Sequence, residues 1–324
     1  MKIAVIGCGA MGSIYAGLLA ARGHDVLAID RDATHVAAIN TKGLRLSGAS
    51  GERTAKLTAR EQCPDEPMDL VIISVKARHV RQAAEDSRGL LGPETHVVTI
   101  QNGLGSAAQV AEVLGEDRLI VGVAQGFGAS RPEAGHAHHN AMKVIRMGAH
   151  SRCPRAALEA VCRCFTEAGL ETEAVDDVLA VQWEKLICNV AYSAPCAVTG
   201  MTVGEVMQDD YMGAVSRMAA MEAWRVARAL NVAIDVDDPV TLVRDFASRM
   251  PDAKPSVLLD VEAGKPSEVD VINGAVPREA RKVALEAPVN ATLTALVLTL
   301  ERRGRVGSRL PNEPNSTWAP DTKE

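Results

Sequence analysis

The sequence predicts an α/β fold: an N-terminal Rossmann-type parallel-sheet domain followed by an all-helical C-terminal domain. Three observations carry that prediction. The glycine turn Gly7-Cys8-Gly9-Ala10-Met11-Gly12 directly follows an apolar run and directly precedes a helical stretch. Short β-rich runs then alternate with helical patterns up to about residue 176, the spacing of βαβ units. Beyond that point the β-rich runs stop and only helical periodicity remains.

In chain order, Lys2–Ile6 reads as the first strand and Ser13–Ala21 as the first helix. Asp25–Ile29 is a second strand and Ala33–Asn40 a second helix. A polar insert follows, to which no element is assigned. Further strands are expected at Asp69–Val75, His96–Ile100, Leu119–Ala124 and Lys143–Met147. The second half suits helices at Val178–Val190, Tyr211–Leu230, Val240–Met250, Ser256–Ala263, Val269–Lys282 and Ala291–Glu301. The domains expected are therefore an α/β domain over 1–175 and a helical domain over 176–309. Residues 310–324, with three prolines and little apolar content, read as a flexible tail.

Composition narrows the function. With 47% apolar and 23% charged residues over 324 positions, the chain is ordinary globular material. Thirty-five Lys and Arg against 41 Asp and Glu leave a net charge of −6, which argues against nucleic acid or an anionic membrane as partner. No apolar run is long enough to span a bilayer. Seven cysteines, an odd number at irregular spacing with no signal peptide, read as reduced thiols of a cytoplasmic protein.

The glycine turn explains itself physically. Gly7 permits the tight turn, Gly9 lets the backbone approach a pyrophosphate, and Gly12 permits close helix–strand packing. The helix N-terminus then offers N–H donors and a positive dipole to the phosphates. Asp30 closes the second strand, where a carboxylate can hold a ribose 2′-hydroxyl; Arg31 follows, where a cation can hold a 2′-phosphate instead. Lys76 and the triplet Gln101-Asn102-Gly103 follow two later strands, and ligands of open α/β sheets bind outside such strand ends.

In the helical half, Lys185, Asn189 and Ser193 recur every four residues and so share one helix face among apolar neighbours. A polar stripe in a core-type helix needs a ligand or a network to satisfy it. Ser256 and Glu268 look locally like helix starts, with Ser256 and Ser267 as caps. His136, His138 and His139 read as a solvated loop with no metal-site spacing around them. No metal is expected. Cys162 and Cys164 fall on different helix faces and receive no redox role.

Taken together, the sequence resembles the ketopantoate reductase (2-dehydropantoate 2-reductase) family over nearly its whole length, from Met1 to about Leu300. The resemblance lies in KIAVIGCGAMG at the N-terminus, VKA at 75–77, QNG at 101–103 and WEKLICN at 183–189. It continues through the Ser256…Glu268 pair, EVDVINGAV at 268–276 and APVN at 287–290. It implies a Rossmann domain and a helical domain with the active site between them. It implies Lys185 as general acid to the ketone oxygen, and Glu268 as the carboxylate holding the substrate 4-hydroxyl and bordering the cofactor. Ser256 would contact the substrate carboxylate, and Asn189 would orient the substrate. Asn102 would bridge cofactor and substrate, and Lys76 would sit near the cofactor phosphates. The backbone of Gly7, Cys8, Gly9, Ala10, Met11 and Gly12, with Asp30 and Arg31, would complete the nucleotide site.

Two departures stand out. Ser193 occupies a position where the family usually has a second asparagine, which alters the substrate pocket. Asp30 stands beside Arg31 although the family is mostly NADPH-dependent, so NADP is the cofactor expected and NAD the alternative. The expected reaction is reduction of 2-dehydropantoate to (R)-pantoate, serving pantothenate and coenzyme A synthesis. The alternatives are reduction of another 2-oxo acid on the same fold, and a non-catalytic dinucleotide sensor. A homodimer is expected of the small helical domain.

Overall fold

The computed structural model describes residues 1–126, 128–141 and 143–307, with side chains as far as Arg303; the expected tail from Leu310 lies outside the described residues. The N-terminal part opens β1 (Lys2–Ile6), α1 (Ala10–Ala21), β2 (Asp25–Ile29), α2 (Ala33–Lys42). Three strands follow, β3 (Leu44–Gly48), β4 (Arg53–Ala55) and β5 (Thr58–Arg60), and then β6 (Met68–Ile73), α3 (Val80–Asp86) and β7 (Leu91–Thr99). Next come α4 (Ser106–Leu114), β8 (Leu119–Gln125), β9 (Gly128–Glu133), β10 (His136–Ala141), β11 (Val144–Ala149), α5 (Arg155–Glu167) and β12 (Thr172–Ala174). The remainder is helical: α6 (Val178–Thr199), α7 (Val203–Gln208), α8 (Asp210–Ala229), α9 (Pro239–Arg249), α10 (Ser256–Glu262), α11 (Ala275–Ala280) and α12 (Pro288–Gly307).

The main sheet has eight strands in the order β12-β11-β8-β7-β6-β1-β2-β5. It is parallel from β5 to β8, and β11 then runs antiparallel to β8. Its central strands are apolar on both faces because helices cover both: Leu70, Val71, Ile72 and Ile73 of β6 are all fully buried. The C-terminal ends of β1, β2, β6, β7 and β8 open on one edge, and that edge faces the helical region.

The polar insert to which no element was assigned forms three strands, and two of them build a second sheet, β4-β3-β10-β9. The histidine segment expected to be a solvated loop is the strand β10, which pairs in parallel with β3. Alternation hides there behind unusual residues: Ala137 and His139 are buried, while His136 and His138 both meet the Ser47 hydroxyl, at 2.8 and 2.9 Å. The helix expected over Val269–Lys282 forms only in its second half. Residues 268–274 make tight turns, with Glu268 carbonyl accepting from the Val271 and Ile272 N–H groups, and only Ala275–Ala280 is α-helical. The Asn273 side chain pins those turns, donating to the Val190 carbonyl and to Asn290 Oδ1, both at 3.0 Å.

The two halves exchange core residues. Leu104, in the loop between β7 and α4, packs into the core of the helical region. Val178 and Val181, from the first turns of α6, pack into the core beneath the sheet. Across the same seam the Leu104 N–H donates to the Val271 carbonyl at 3.0 Å, and Arg278 donates to the Leu104 carbonyl at 2.9 Å. Gly103 makes this approach achievable: its φ is +75°, and a Cβ there would lie 2.0 Å from the Val271 carbonyl oxygen.

Candidate active site

Between the sheet edge and the helical region lies a cleft of about 1900 Å³. One end of it is formed by the glycine turn. Gly7 has φ +85°, a conformation costly for residues with a Cβ, and that turn follows from the sharp exit of the chain from β1. A Cβ on Gly12 would sit 2.1 Å from the Gly7 carbonyl oxygen, so only glycine lets α1 start this close to the strand. Gly9 has open space where its Cβ would be. These three features are the cradle that a dinucleotide pyrophosphate needs, so the residues fit that group. Gly7, Gly9, Ala10 and Met11 line the cleft together with Asp30 and Arg31. Cys8 and Gly12 are buried behind it, and burial pushes the Cys8 thiol up to about 12.

Asp30 turns one carboxylate oxygen back on its own loop, accepting the Asp32 N–H at 2.9 Å. Arg31 is exposed, with Asp86 3.6 Å from its guanidinium. A single exposed pair at that distance holds a side chain weakly.

At the other end, α6 runs past the expected stop at Val190 to Thr199, through Pro195, and ends at Gly200 in the left-handed conformation. Asp177 caps its start by accepting the Ala180 N–H at 2.9 Å. Trp183, Ile187 and Val190 bury one side of α6, and Lys185, Asn189 and Ser193 face the cleft on the other. Lys185 Nζ donates to Asn102 Oδ1 at 2.8 Å and to the Ala124 carbonyl at 2.7 Å, so three segments converge on one ammonium. Burial draws its pKa down to about 8, against a smaller upward pull from the Glu268 charge. An ammonium has three donors, and two are used within the described residues. Asn189 and Ser193 have side chains without hydrogen-bond partners among the described residues.

Glu268 is nearly buried and belongs to both halves. Its Oε1 accepts the Ala77 N–H at 3.0 Å, and its Oε2 lies 3.6 Å from Lys76 Nζ. Lys76 donates to Asp260 Oδ2 at 2.8 Å. Burial works against the Lys76 charge, but Glu268 and Asp260 outweigh it and hold the ammonium above its ordinary range. The structure thus places Lys76 on carboxylates of the helical region. Asp260, the partner of the cleft-lining Lys76, is a residue that sequence reasoning missed. The available signal was its position four residues after Ser256, on the same face of α10 as that cleft-lining residue. Asn102, Asn189, Ser193, Ser256, Glu268, Lys76 and Lys185 all border this one space.

Among the described residues no group of three or more His, Cys, Asp or Glu could hold a metal ion, and no helix is long and apolar enough to cross a membrane. All seven cysteines are free.

Comparison with known proteins bears on this arrangement directly. Residues 3–152 match the family model for ketopantoate reductase PanE/ApbA, and residues 177–301 match the model for its C-terminal domain. The chain belongs to the ketopantoate reductase family. It is 31% identical to the 2-dehydropantoate 2-reductase of Pyrococcus horikoshii over 304 residues, covering 94% of this chain and 99% of that one. A crystal structure of a PanE/ApbA family ketopantoate reductase from Ralstonia eutropha is 31% identical, with a TM-score of 0.86 over 94% of this chain and 100% of that one. The ternary structure of D-mandelate dehydrogenase with NADH and anilino(oxo)acetate shares the fold, with a TM-score of 0.87 at 24% identity over 94% and 99% of the two chains. As a ketopantoate reductase family member, the chain is an NAD(P)-dependent oxidoreductase.

Proposed function

We propose that this protein reduces 2-dehydropantoate to (R)-pantoate with NADPH, in the cytoplasm, as a step of pantothenate and coenzyme A synthesis. The observation that carries the reading is the Lys185 ammonium: drawn down toward neutrality, held by Asn102 and Ala124, and left with one donor at the cleft. The names of the curated relatives supply the substrate.

A bound nicotinamide supplies the hydride. As negative charge builds on the ketone oxygen, the Lys185 ammonium stabilises it and then delivers its proton. Asn102 fixes the Lys185 rotamer from the sheet side, so the acid does not have to be ordered during the reaction. Glu268, already holding the Ala77 N–H, offers its remaining acceptor capacity to the substrate 4-hydroxyl. Ser256 and Asn189 receive the carboxylate and orient the chain of the substrate, and Ser193 sets the pocket depth beyond them. Arg31, loosely paired, would hold the ribose 2′-phosphate, while one Asp30 oxygen is held by its own loop.

One observation favours a second reading, an aryl 2-oxo acid as substrate. Beyond the short Ser193 side chain the cleft is walled by Tyr192, Leu242, Phe246 and Met250, which is more apolar surface than ketopantoate requires. That wall suits an aryl compound like the anilino(oxo)acetate present in the mandelate dehydrogenase structure.

The test is cofactor oxidation at 340 nm with NADPH or NADH, against ketopantoate and an aryl 2-oxo acid, as a function of pH. Turnover is expected with ketopantoate and NADPH. Because Lys185 must start protonated and its pKa lies near 8, the reduction rate should fall as pH rises through about 8, and oxidation of the hydroxy acid should rise. Turnover of the aryl acid alone would overturn the ketopantoate reading. A rate of reduction that climbs with pH across that range would remove Lys185 as the acid.

A further inference from the structure

We propose that Arg131 is a cofactor-discriminating residue, carried by the small sheet to the turn after β2 that borders the ribose end of the cleft, where it would bind the 2′-phosphate together with Arg31. The proposal rests on the NADP(H) reading above and adds a residue that no strand-end motif announces.

Position comes first. Arg131 lies on β9, and the opening residues of that strand, Gly128 and Ala129, line the cleft along with Asp30 and Arg31. Its guanidinium crosses from the small sheet to the turn between β2 and α2, donating from Nη2 to Asp32 Oδ2 at 2.7 Å. That turn, just past the end of the second strand, is where folds of this type read the adenosine ribose.

The chemistry of the pair then matters. Asp32 caps α2: its Oδ1 accepts from the Thr34 and His35 N–H groups at 3.1 and 3.3 Å and from the Thr34 hydroxyl. These contacts, with Arg131 contributing, hold its carboxyl down at about 2, so it is a fixed anion that anchors Arg131. A guanidinium carries five donors. Among the described residues Arg131 gives one of them to a protein acceptor, and its side chain is 31% exposed. An anchored fork with donors to spare matches a phosphate better than a mobile surface arginine does.

Electrostatics points the same way. Asp30 and Asp32 would by themselves repel a 2′-phosphate. The Arg131 charge reaches Cys8 and His35, the same two groups that the Asp30 charge reaches, so it offsets Asp30 across the mouth of the glycine loop.

The mounting is rigid. In the turn after β9, the Gly135 N–H donates to His35 Nδ1 at 2.9 Å. That acceptor role assigns the ring proton to Nε2, which lies 3.2 Å from Ser13 Oγ. Ser13 in turn donates to the Cys8 carbonyl at 2.9 Å. His35 is fully buried, so this chain ties the strand carrying Arg131 to the phosphate loop itself.

The experiment is fluorescence titration of NADPH and of NADH into the full-length wild type, Arg131→Gln and Arg131→Lys, with no 2-oxo acid present. For Arg131→Gln, NADPH affinity should fall at least 10-fold further than NADH affinity. Arg131→Lys keeps the charge without the fork and should give a smaller loss in the same direction; it also carries the test if the glutamine variant does not fold. Equal weakening of both nucleotides, the mark of a merely structural residue, overturns the proposal. So does a wild-type preference for NADPH that both variants retain, which leaves the NADP(H) reading standing. A wild type that prefers NADH, with that preference kept in both variants, overturns the NADP(H) reading and this proposal together.

Discussion

Lys185→Ala should lower kcat for 2-oxo acid reduction about 10³-fold, within the range expected when a general acid and an oxyanion-stabilising charge are lost at once. Steady-state kinetics beside NADPH titration checks this, since nucleotide affinity should change only a few-fold. The structural cost is small by comparison. Asn102 Oδ1 and the Ala124 carbonyl each lose a donor, but both border an open cleft where water replaces it. Lys185→Met provides the control. Burial depresses the Lys185 pKa, so its charged form is held at a cost throughout the range below about 8. Removing the charge should therefore leave the melting temperature at pH 7 equal to or above that of the wild type. Lys185→Arg should not restore activity, because a guanidinium does not give up its proton near neutrality. A kcat within 10-fold of wild type in Lys185→Ala would end the assignment.

Glu268 carries the second large effect, and two variants divide it. In Glu268→Ala the Ala77 N–H and the Lys76 ammonium lose an acceptor at a nearly buried position, so stability should fall by about 1–3 kcal/mol. Its kcat/KM for ketopantoate should drop about 10²-fold or more. Glu268→Gln preserves the shape and an acceptor for Ala77, which confines the change to charge and to the substrate hydroxyl. With ketopantoate it should lose about 10²-fold in kcat/KM. With a 2-oxo acid lacking the 4-hydroxyl the loss should shrink below 10-fold. Equal losses on both substrates would remove the hydroxyl-holding role. The same variant should move the pH profile to lower values, since the Glu268 charge is what opposes the downward shift of Lys185.

The parts that sequence reasoning reached are those where one residue type answers one local demand. The glycine turn is legible because Gly7 needs positive φ and a Cβ on Gly12 would lie 2.1 Å from the Gly7 carbonyl oxygen, and both demands arise within a few residues. The stripe Lys185, Asn189, Ser193 is legible because helical periodicity fixes which side chains share a face. The small sheet escaped because its alternation is written in serine and histidine, whose partners lie about 90 residues apart in Ser47, His136 and His138. The segment after Glu268 escaped for a related reason. Its apolar spacing fits a helix, and the groups that break it, Ala77 on Glu268 and Val190 and Asn290 on Asn273, belong to distant elements. Asp260 and Arg131 likewise gain meaning only through partners on another element, Lys76 and Asp32.

The exchange of core residues across the seam also governs how the molecule comes apart. Leu104 completes the helical core, while Val178 and Val181 complete the core beneath the sheet. Neither half can therefore lose its packing without opening a cavity in the other, a loss of the kind that costs about 2–5 kcal/mol per large aliphatic side chain. The consequence is shared cooperativity: heating should produce one melting transition, with nucleotide raising the melting temperature of the helical half although it binds chiefly at the sheet edge.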